Sequence, residues 1–384
     1  MDVLFAVGAY WPSAGGVQMV TQYIAEGLAE KGHKVYVVTQ WDKNYLKQEV
    51  HNNVEIVRFY ERSFGKIHFG DKTEYQKYII EMSKQVDAIV VVCSNNFVAQ
   101  WIYPIMDDIK CKKVLYQHGM YDGRFHFDNI HSVQRMNKHI LLTIWWEIYH
   151  RRYWNKISSF DDVIHLFKND SSYNYFQRRG YKNNHVVMNS CQDVFFDSQM
   201  SEGSLLKYEI STKYFIYVAN YCSRKNQRRA VELFFNSNCE ACDLVLIGSE
   251  KNSYYDSIVN YINNSNSLKK ERIHLLTDVP RDETIQLIKN AFACLFTSEN
   301  EYFPISIIEA MAANVPFIST NVGVCKYIPG GQVCDNDDEL IYWMEYFCNN
   351  PEYVDLLGKI ARSYAEKNCL RKNVINNIEK ILFE

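Results

Sequence analysis

The chain has 384 residues, a formal net charge of −3, 47 % hydrophobic residues and 23 % charged residues. That length points to two domains, each able to bury its own core. The near-neutral balance excludes the basic footprint of a nucleic-acid binder, and no run of about 18 apolar residues offers a membrane-spanning helix.

The opening, Asp2–Ala9, is apolar and β-prone and carries an acid where a secretory leader would be basic, so it reads as a buried strand. The turn-rich loop Trp11–Gly16 follows. Then Val17, Val20, Ile24 and Leu28 recur at helical spacing until Gly32 stops the helix. Lys34–Thr39 is the next strand. Strand, helix, strand is a βαβ start and implies a parallel sheet. Further apolar runs predict strands at Val54–Phe59, Ala88–Cys93, Lys113–Tyr116 and Val163–Leu166, with helical stretches between them. The polar stretch Ser198–Ser211 reads as a linker. Beyond it, strands are predicted at Tyr214–Ala219, Leu244–Gly248, Ile273–Leu275, Ala293–Phe296 and Phe317–Ser319. Helices at Gln227–Asn236, Tyr254–Asn264, Asp282–Asn290 and Ile307–Ala313 alternate with them. Two doubly wound α/β domains are expected, at 1–195 and 196–365. A final helix over 366–384 is expected to pack back on the first. Ligands of such folds bind outside the carboxyl ends of the strands.

Eleven cysteines, an odd and scattered number, do not form a disulfide scaffold and indicate a reducing, cytoplasmic setting. Cys239 and Cys242 have CxxC spacing. Without a second pair or a nearby histidine they read as two ordinary thiols at a helix-to-strand junction rather than a metal or redox site. Ile140–Trp154 is aromatic and turns basic toward its end. It fits a core helix of the first domain with a basic cap better than an interfacial helix that meets lipid head groups or a lipid-linked acceptor.

The stretch with the clearest chemistry is Glu301–Ala312. Glu301 lies in a loop and Glu309 on the helix that follows; Phe303 and Ile305 present backbone N–H groups near the helix start, and Pro304 shapes the loop. A carboxylate ahead of a helix can accept hydrogen bonds from sugar hydroxyls, and one on its first turn can hold a ribose diol. Spacing alone also allows a plain amphipathic helix with a glutamate in its first turn.

This stretch resembles the E-x7-E motif of the retaining GT-B glycosyltransferases of group 1, family four. Ala310–Pro316 resembles its usual continuation, with Asn314 in place of glycine. Other stations match in order. Pro12–Gln18, with Gly15 and Gly16, resembles the glycine-rich loop after the first strand. There, glycine permits close backbone approach and positive φ. Gln117-His118-Gly119 resembles the family's His-Gly, and Met188-Asn189-Ser190 the P-N-G that ends its first domain. Val218–Gln227 resembles the phosphate segment, with Lys225 on the lysine position. Asn220 stands where arginine is usual, and Arg224 is a partial substitute. Asp278-Val279 falls in the loop expected near the base.

The resemblance implies two Rossmann-like domains facing across a cleft and retention of configuration without a metal or cofactor. It implies a nucleotide-diphosphate sugar as donor and a glycan or lipid-linked acceptor. The family's commonest setting is cell-surface polysaccharide assembly at the inner face of the membrane, with peripheral membrane contact. Glu301, His118 and Lys225 would be the catalytic residues. Glu301 and His118 would hold the sugar, Glu309 the ribose, and Lys225 the leaving diphosphate. His118 could orient a hydroxyl or help balance phosphate charge. Gly15, Gly16, Asn220, Arg224, Val279, Phe303, Pro304 and Ile305 would complete the donor site. The alternative is a non-catalytic nucleotide-sugar-binding subunit that has kept the fold.

Overall fold

The computed structural model describes residues 1–13, 15–65, 67–120 and 133–384, with side chains of the helix Val133–Ile157 described from 140 onward. Ala14 of the glycine-rich loop falls outside the described residues. The chain divides into two compact units, Met1–Met188 with Val374–Glu384, and Asn189–Asn373. Each is an α/β unit around a largely parallel sheet.

The first unit contains β1 (Asp2–Ala6), β2 (Lys34–Trp41), β3 (Gln48–His51), β4 (Val54–Phe64), β5 (Ile67–Gly70), β6 (Ala88–Val92), β7 (Lys112–Tyr116), β8 (Asp162–His165) and β9 (Asn184–Val186). Their order is β3-β4-β2-β1-β6-β7-β8-β9, with β5 antiparallel on β4. All neighbours from β4 through β9 pair parallel, and β3 is antiparallel. The central strands β1 and β6 are buried almost throughout. Helices cover both faces of such a strand, so its sequence reads as a continuous apolar run rather than an alternating one. The helix Gly16–Glu30 turns Val20, Ile24 and Leu28 inward, as its spacing predicts. The aromatic richness of this unit goes largely into its core, where Tyr75, Trp101, Tyr103, Trp146 and Tyr149 share one cluster. Helix Arg371–Phe383 enters this unit at Val374. There Glu379 pairs with Lys31 and His33, and Lys112 Nζ donates to the Ile381 carbonyl.

The second unit holds β10 (Tyr214–Val218), β11 (Asp243–Gly248), β12 (Ile273–Thr277), β13 (Ala293–Phe296), β14 (Phe317–Thr320) and β15 (Gly331–Cys334), all parallel, in the order β12-β11-β10-β13-β14-β15. The stretch expected as a linker belongs to this unit. It contains the short helix Gly203–Lys207, buries Leu205 and Ile210, and is tied to helix Arg281–Lys289 through Lys207 and Tyr208 on Glu283. The chain instead passes between units at Met188–Asn189. Phe195 and Phe196 already offer their carbonyls to Arg362 of the second unit, which fixes the segment there. The CxxC thiols do lie between a helix and β11, with a third thiol beside them: Cys242 Sγ is 3.2 Å from Cys348 Sγ.

Candidate functional site

The second sheet has its switch point between β10 and β13. From β10 the chain first builds outward through β11 and β12. It then crosses back to lay β13, β14 and β15 on the other side. The loops leaving β10 and β13 therefore part in opposite directions and leave a crevice at their carboxyl ends. These two loops carry half of the predicted residues: Asn220, Arg224 and Lys225 on one, Glu301, Phe303 and Pro304 on the other.

Hydrogen bonds lock the loops together. The Arg224 carbonyl accepts from the Glu299 N–H at 2.9 Å and from Ser298 Oγ at 3.1 Å. Thr297 Oγ1 donates to the Asn226 carbonyl at 2.9 Å, and buried Tyr217 donates its hydroxyl to the Lys225 carbonyl at 2.5 Å. Within this frame Lys225 Nζ meets Glu301 Oε1 at 2.5 Å, and Ser298 Oγ donates to the same oxygen at 3.0 Å. Two residues 76 positions apart (301 minus 225) thus form one half-buried ion pair at the switch point. Asn220 and Arg224 are exposed on the same β10 loop. The Asn220 carbonyl is held by Gln227 Nε2 at 3.0 Å.

Behind the Glu301 loop lies a residue the sequence analysis passed over. Gly323 has φ +50°, and a Cβ there would stand 2.3 Å from the Tyr302 carbonyl oxygen and 2.6 Å from that of Glu301. The Val324 N–H donates to the Tyr302 carbonyl at 2.9 Å. The loop after β14 thus supports the loop after β13 from below, and only glycine fits that approach.

Helix Ile305–Ala312 begins at Ile305 with Pro304 as its N-cap residue. Phe303 and Pro304 are buried and Ile305 is half-buried. Glu309 is not on the first turn, as expected, but on the second. It is only 4 % exposed and ion-paired with Arg281. Burial pushes its carboxyl pKa up, and the Arg281 guanidinium opposes that shift. Arg281 also donates Nε to Gln192 Oε1 at 3.0 Å and lies over the Phe195 ring. The sequence did carry a signal for Arg281. It opens a helix directly after Pro280, where the helix dipole disfavours a cation unless a specific anion holds it. Val279 is half-buried in the loop after β12, beside Asp278, whose φ is +56°.

In the first unit the switch point lies between β1 and β6. The loop after β1 leads to Gly15, the N-cap of helix Gly16–Glu30, with φ −134°. Gly15 is extended and Gly16 is helical. Neither uses the positive φ expected of them, so their value is the absence of a side chain at a helix N-terminus. Positive φ occurs instead at Gly119, at +95°, directly after His118. The His118 ring packs on Tyr116 at 4.3 Å between centroids, and its Nε2 is buried without a hydrogen-bond partner among the described residues. Burial pulls its pKa down to about 3, so the imidazole is neutral at ordinary pH. A neutral imidazole can exchange a hydrogen bond with a hydroxyl, the first of the two roles expected of it. Asn189, at the entry to the second unit, donates Nδ2 to the Phe303 carbonyl at 3.4 Å, while its Oδ1 is buried without a partner among the described residues.

With this geometry in hand, the comparisons can be placed. The sequence matches the family described as "Glycosyltransferase Family 4" over residues 14–158 and that described as "Glycosyl transferases group 1" over residues 207–377. No curated protein matches it. Sucrose-phosphate synthase from Thermosynechococcus elongatus superposes with a TM-score of 0.73 at 14 % identity, over 99 % of this chain and 98 % of that one. HepE of Anabaena, solved in complex with UDP-glucose, gives 0.71 at 14 % identity, over 100 % and 99 % of the two chains. WaaG, a glycosyltransferase involved in lipopolysaccharide biosynthesis, gives 0.65 at 15 % identity, over 97 % and 98 %. At such identities the superpositions speak for the fold.

Proposed function

Since this chain belongs to the group 1 glycosyltransferases and has their GT-B fold, we propose that it moves a sugar from a nucleotide-diphosphate sugar to a glycan or lipid-linked acceptor with retention of configuration. The observation that carries the reading is the convergence of Lys225 and Glu301 at the β10–β13 switch point. A diphosphate entering that crevice competes with Glu301 for Lys225. It leaves the carboxylate to accept hydrogen bonds from hydroxyls of the donor sugar. As the bond from the anomeric carbon to the diphosphate breaks, charge grows on the leaving oxygen, where Lys225 stabilises it, with Arg224 on the same loop. The acceptor hydroxyl attacks from the face the diphosphate leaves, and a phosphate oxygen takes its proton. Catalysis then rests on positioning and electrostatics, without a protein nucleophile or a metal. Glu309 offers its second oxygen to the ribose diol while Arg281 holds the first, and the backbone at Val279 faces the base. In the first unit, His118 acts as a neutral hydrogen-bonding group toward a sugar hydroxyl. The Gly15–Gly16 helix start gives backbone N–H groups to an anionic part of the substrate.

The setting we propose is cell-surface polysaccharide assembly in the cytoplasm; the part WaaG plays in lipopolysaccharide biosynthesis supports it. The test is thermal-shift screening of the full chain against nucleoside diphosphates and their sugars in EDTA. UDP and UDP-glucose come first because HepE was solved with them. A ligand bound only by the folded state raises the melting temperature. Stabilisation by one nucleotide family, lost in Glu309→Ala, supports the donor site. Binding without any release of nucleoside diphosphate, with acceptor extracts present, would favour the non-catalytic subunit, and absence of any shift sinks the donor site itself.

A further inference from the structure

We propose that Cys242 and Cys348 form a reversible oxidation site in the second unit, joining as a disulfide with Cys239 as a third, exchanging thiol.

Spacing alone leaves the CxxC pair as two ordinary thiols; the fold brings a third from 106 positions away. The pair sits in a turn between helix Gln227–Asn236 and β11, closed by the Cys242 N–H on the Cys239 carbonyl at 3.3 Å. Cys348 lies on the last turn of helix Asp337–Asn349. Three residues earlier on that helix, Glu345 accepts from the Asn238 N–H at 2.8 Å and from Asn238 Nδ2 at 2.9 Å. Residues three apart share a helix face, so this clasp delivers Cys348 to the turn. Cys242 Sγ is 3.2 Å from Cys348 Sγ, and Cys239 hydrogen-bonds with the same thiol. Bonded sulfurs stand about 2.05 Å apart, so a closure of about 1 Å completes a disulfide.

Three other buried thiols show the inert case. Burial pushes Cys294, Cys325 and Cys369 up to about 12. Cys239 and Cys242 shift the other way. The Cys348 thiol donates to both and favours their thiolate forms against burial; Lys269 adds to this at Cys239 and Lys213 at Cys242. Both lysines are held in place. Lys213 Nζ donates to the Cys348 carbonyl at 2.8 Å and Lys269 Nζ to the Phe234 carbonyl at 3.1 Å. Glu345 and Asp243 act against them. Cys239 and Cys242 are buried while Cys348 is half-buried, so an oxidant meets Cys348 first. Among the described residues no group of His, Cys, Asp and Glu is arranged to hold a metal ion.

A peroxide is the oxidant that balances the step. The Cys348 proton passes to Cys242 along their contact, and the Cys348 sulfur attacks a peroxide oxygen. The O–O bond breaks, leaving a sulfenic acid on Cys348 and a hydroxide that takes the proton from Cys242 as water. The Cys242 thiolate then attacks the Cys348 sulfur; the S–O bond breaks, hydroxide leaves and the S–S bond forms. The two sulfurs lose two electrons and the peroxide gains them. Cys239, beside Cys348, can attack the new disulfide and release Cys242, and a dithiol reductant restores all three thiols. Oxidation ties helix Asp337–Asn349 to the turn ahead of β11, at the amino end of that strand. This inference goes beyond the donor-site reading and shares no residue with it.

The experiment exposes the full chain to hydrogen peroxide in EDTA, blocks remaining thiols by alkylation and maps unreduced peptides by mass spectrometry. A Cys242–Cys348 link is expected as the main product. It should form about tenfold or more faster in the folded chain than in the chain unfolded in urea, because the fold holds the two sulfurs together, and dithiothreitol should remove it. Cys348→Ser should abolish the link, and Cys242→Ser should move it to Cys239–Cys348. Melting curves and the nucleotide shift show whether these variants keep fold and donor site, and the wild-type map stands without them. No link in the folded chain, equal rates in folded and unfolded chain, or a link confined to Cys239 and Cys242 overturns the proposal. So does sulfinic or sulfonic acid on Cys348 without any link.

Discussion

The two sheets place their switch points alike but furnish them differently. At β10–β13 the rim carries charge in pairs, Lys225 with Glu301 and Arg281 with Glu309. At the end of β7 in the first unit the corresponding chemistry is a buried, neutral imidazole, and after β1 it is a helix start stripped of side chains. The same topology thus gives one rim lined by ion pairs and another lined by a neutral hydrogen-bonding ring and bare backbone. The difference comes from what each unit leaves half-exposed. Lys225 stands half-exposed beside a carboxylate, while burial against Tyr116 favours the neutral form of the His118 imidazole.

If charge is what distinguishes the second rim, removing it should cost the most. Lys225→Ala and Glu301→Gln should each lower kcat by about a hundredfold or more, the usual scale for removing one group that stabilises transition-state charge. Steady-state release of nucleoside diphosphate measures it. The two losses should be far from additive, since each variant also frees the other partner of the 2.5 Å pair. Full turnover in both variants would leave the contrast between the rims without chemical meaning.

Arg281 separates the structural from the catalytic use of charge. Arg281→Ala leaves the Glu309 carboxylate buried without its partner. Breaking such a pair costs about 3–5 kcal/mol when both groups are buried; with Arg281 partly exposed, about 2–3 kcal/mol is expected. Urea unfolding reads this directly. Adding Glu309→Gln should return part of the loss, because the uncompensated charge is then gone. If the double variant is no more stable than the single, Arg281 acts through its packing on Phe195 rather than through charge.

The neutral rim predicts a pH signature of the opposite kind. His118 titrates near 3 when folded against 6.5 unfolded, and His150 and His165 near 4, all through burial. The unfolded chain therefore binds more protons below the unfolded value. The stability from these groups is fully present above about pH 6.5 and is lost as pH falls toward the folded pKa. Each contributes a loss of about 1.4 kcal/mol per pH unit inside that window. Between about pH 7.5 and about pH 5.5, His118→Asn should lose about 1 kcal/mol less stability than the wild type. An unchanged pH slope would mean that His118 is solvated and able to charge.

Both sheets were largely legible from the sequence because central parallel strands are unbroken apolar runs; β13 and helix Gln227–Asn236 fall where the pattern places them. Edge strands β3, β5, β9 and β15 were not, being short and half-polar or, in β5, apolar on the side away from the core. Of the site, Lys225 and Glu301 could be read from motif resemblance, but their contact could not, since strand order and not sequence spacing brings them together. Gly323 and Arg281 were missed for the same reason. One matters only because another loop's carbonyls press on it, the other because a glutamate on a different helix is buried beside it.

The smallest expected effect tests the departure of Asn314 from the family's glycine. Asn314 has φ +64° and follows helix Ile305–Ala312. Its N–H donates to the Met311 carbonyl at 3.1 Å and the Val315 N–H to that of Ala310 at 2.9 Å, which together close the helix in a Schellman turn. That conformation favours glycine, and asparagine is the side chain that tolerates it best. The substitution is therefore a local solution to one backbone requirement, at the end of the helix remote from Glu301. Asn314→Gly should change stability by no more than about 0.5 kcal/mol, and Asn314→Ala should lower it by about 1 kcal/mol. Neither should alter turnover. A kcat change in Asn314→Gly would instead mean that the position of this helix, fixed at its far end, sets the geometry of the charged rim.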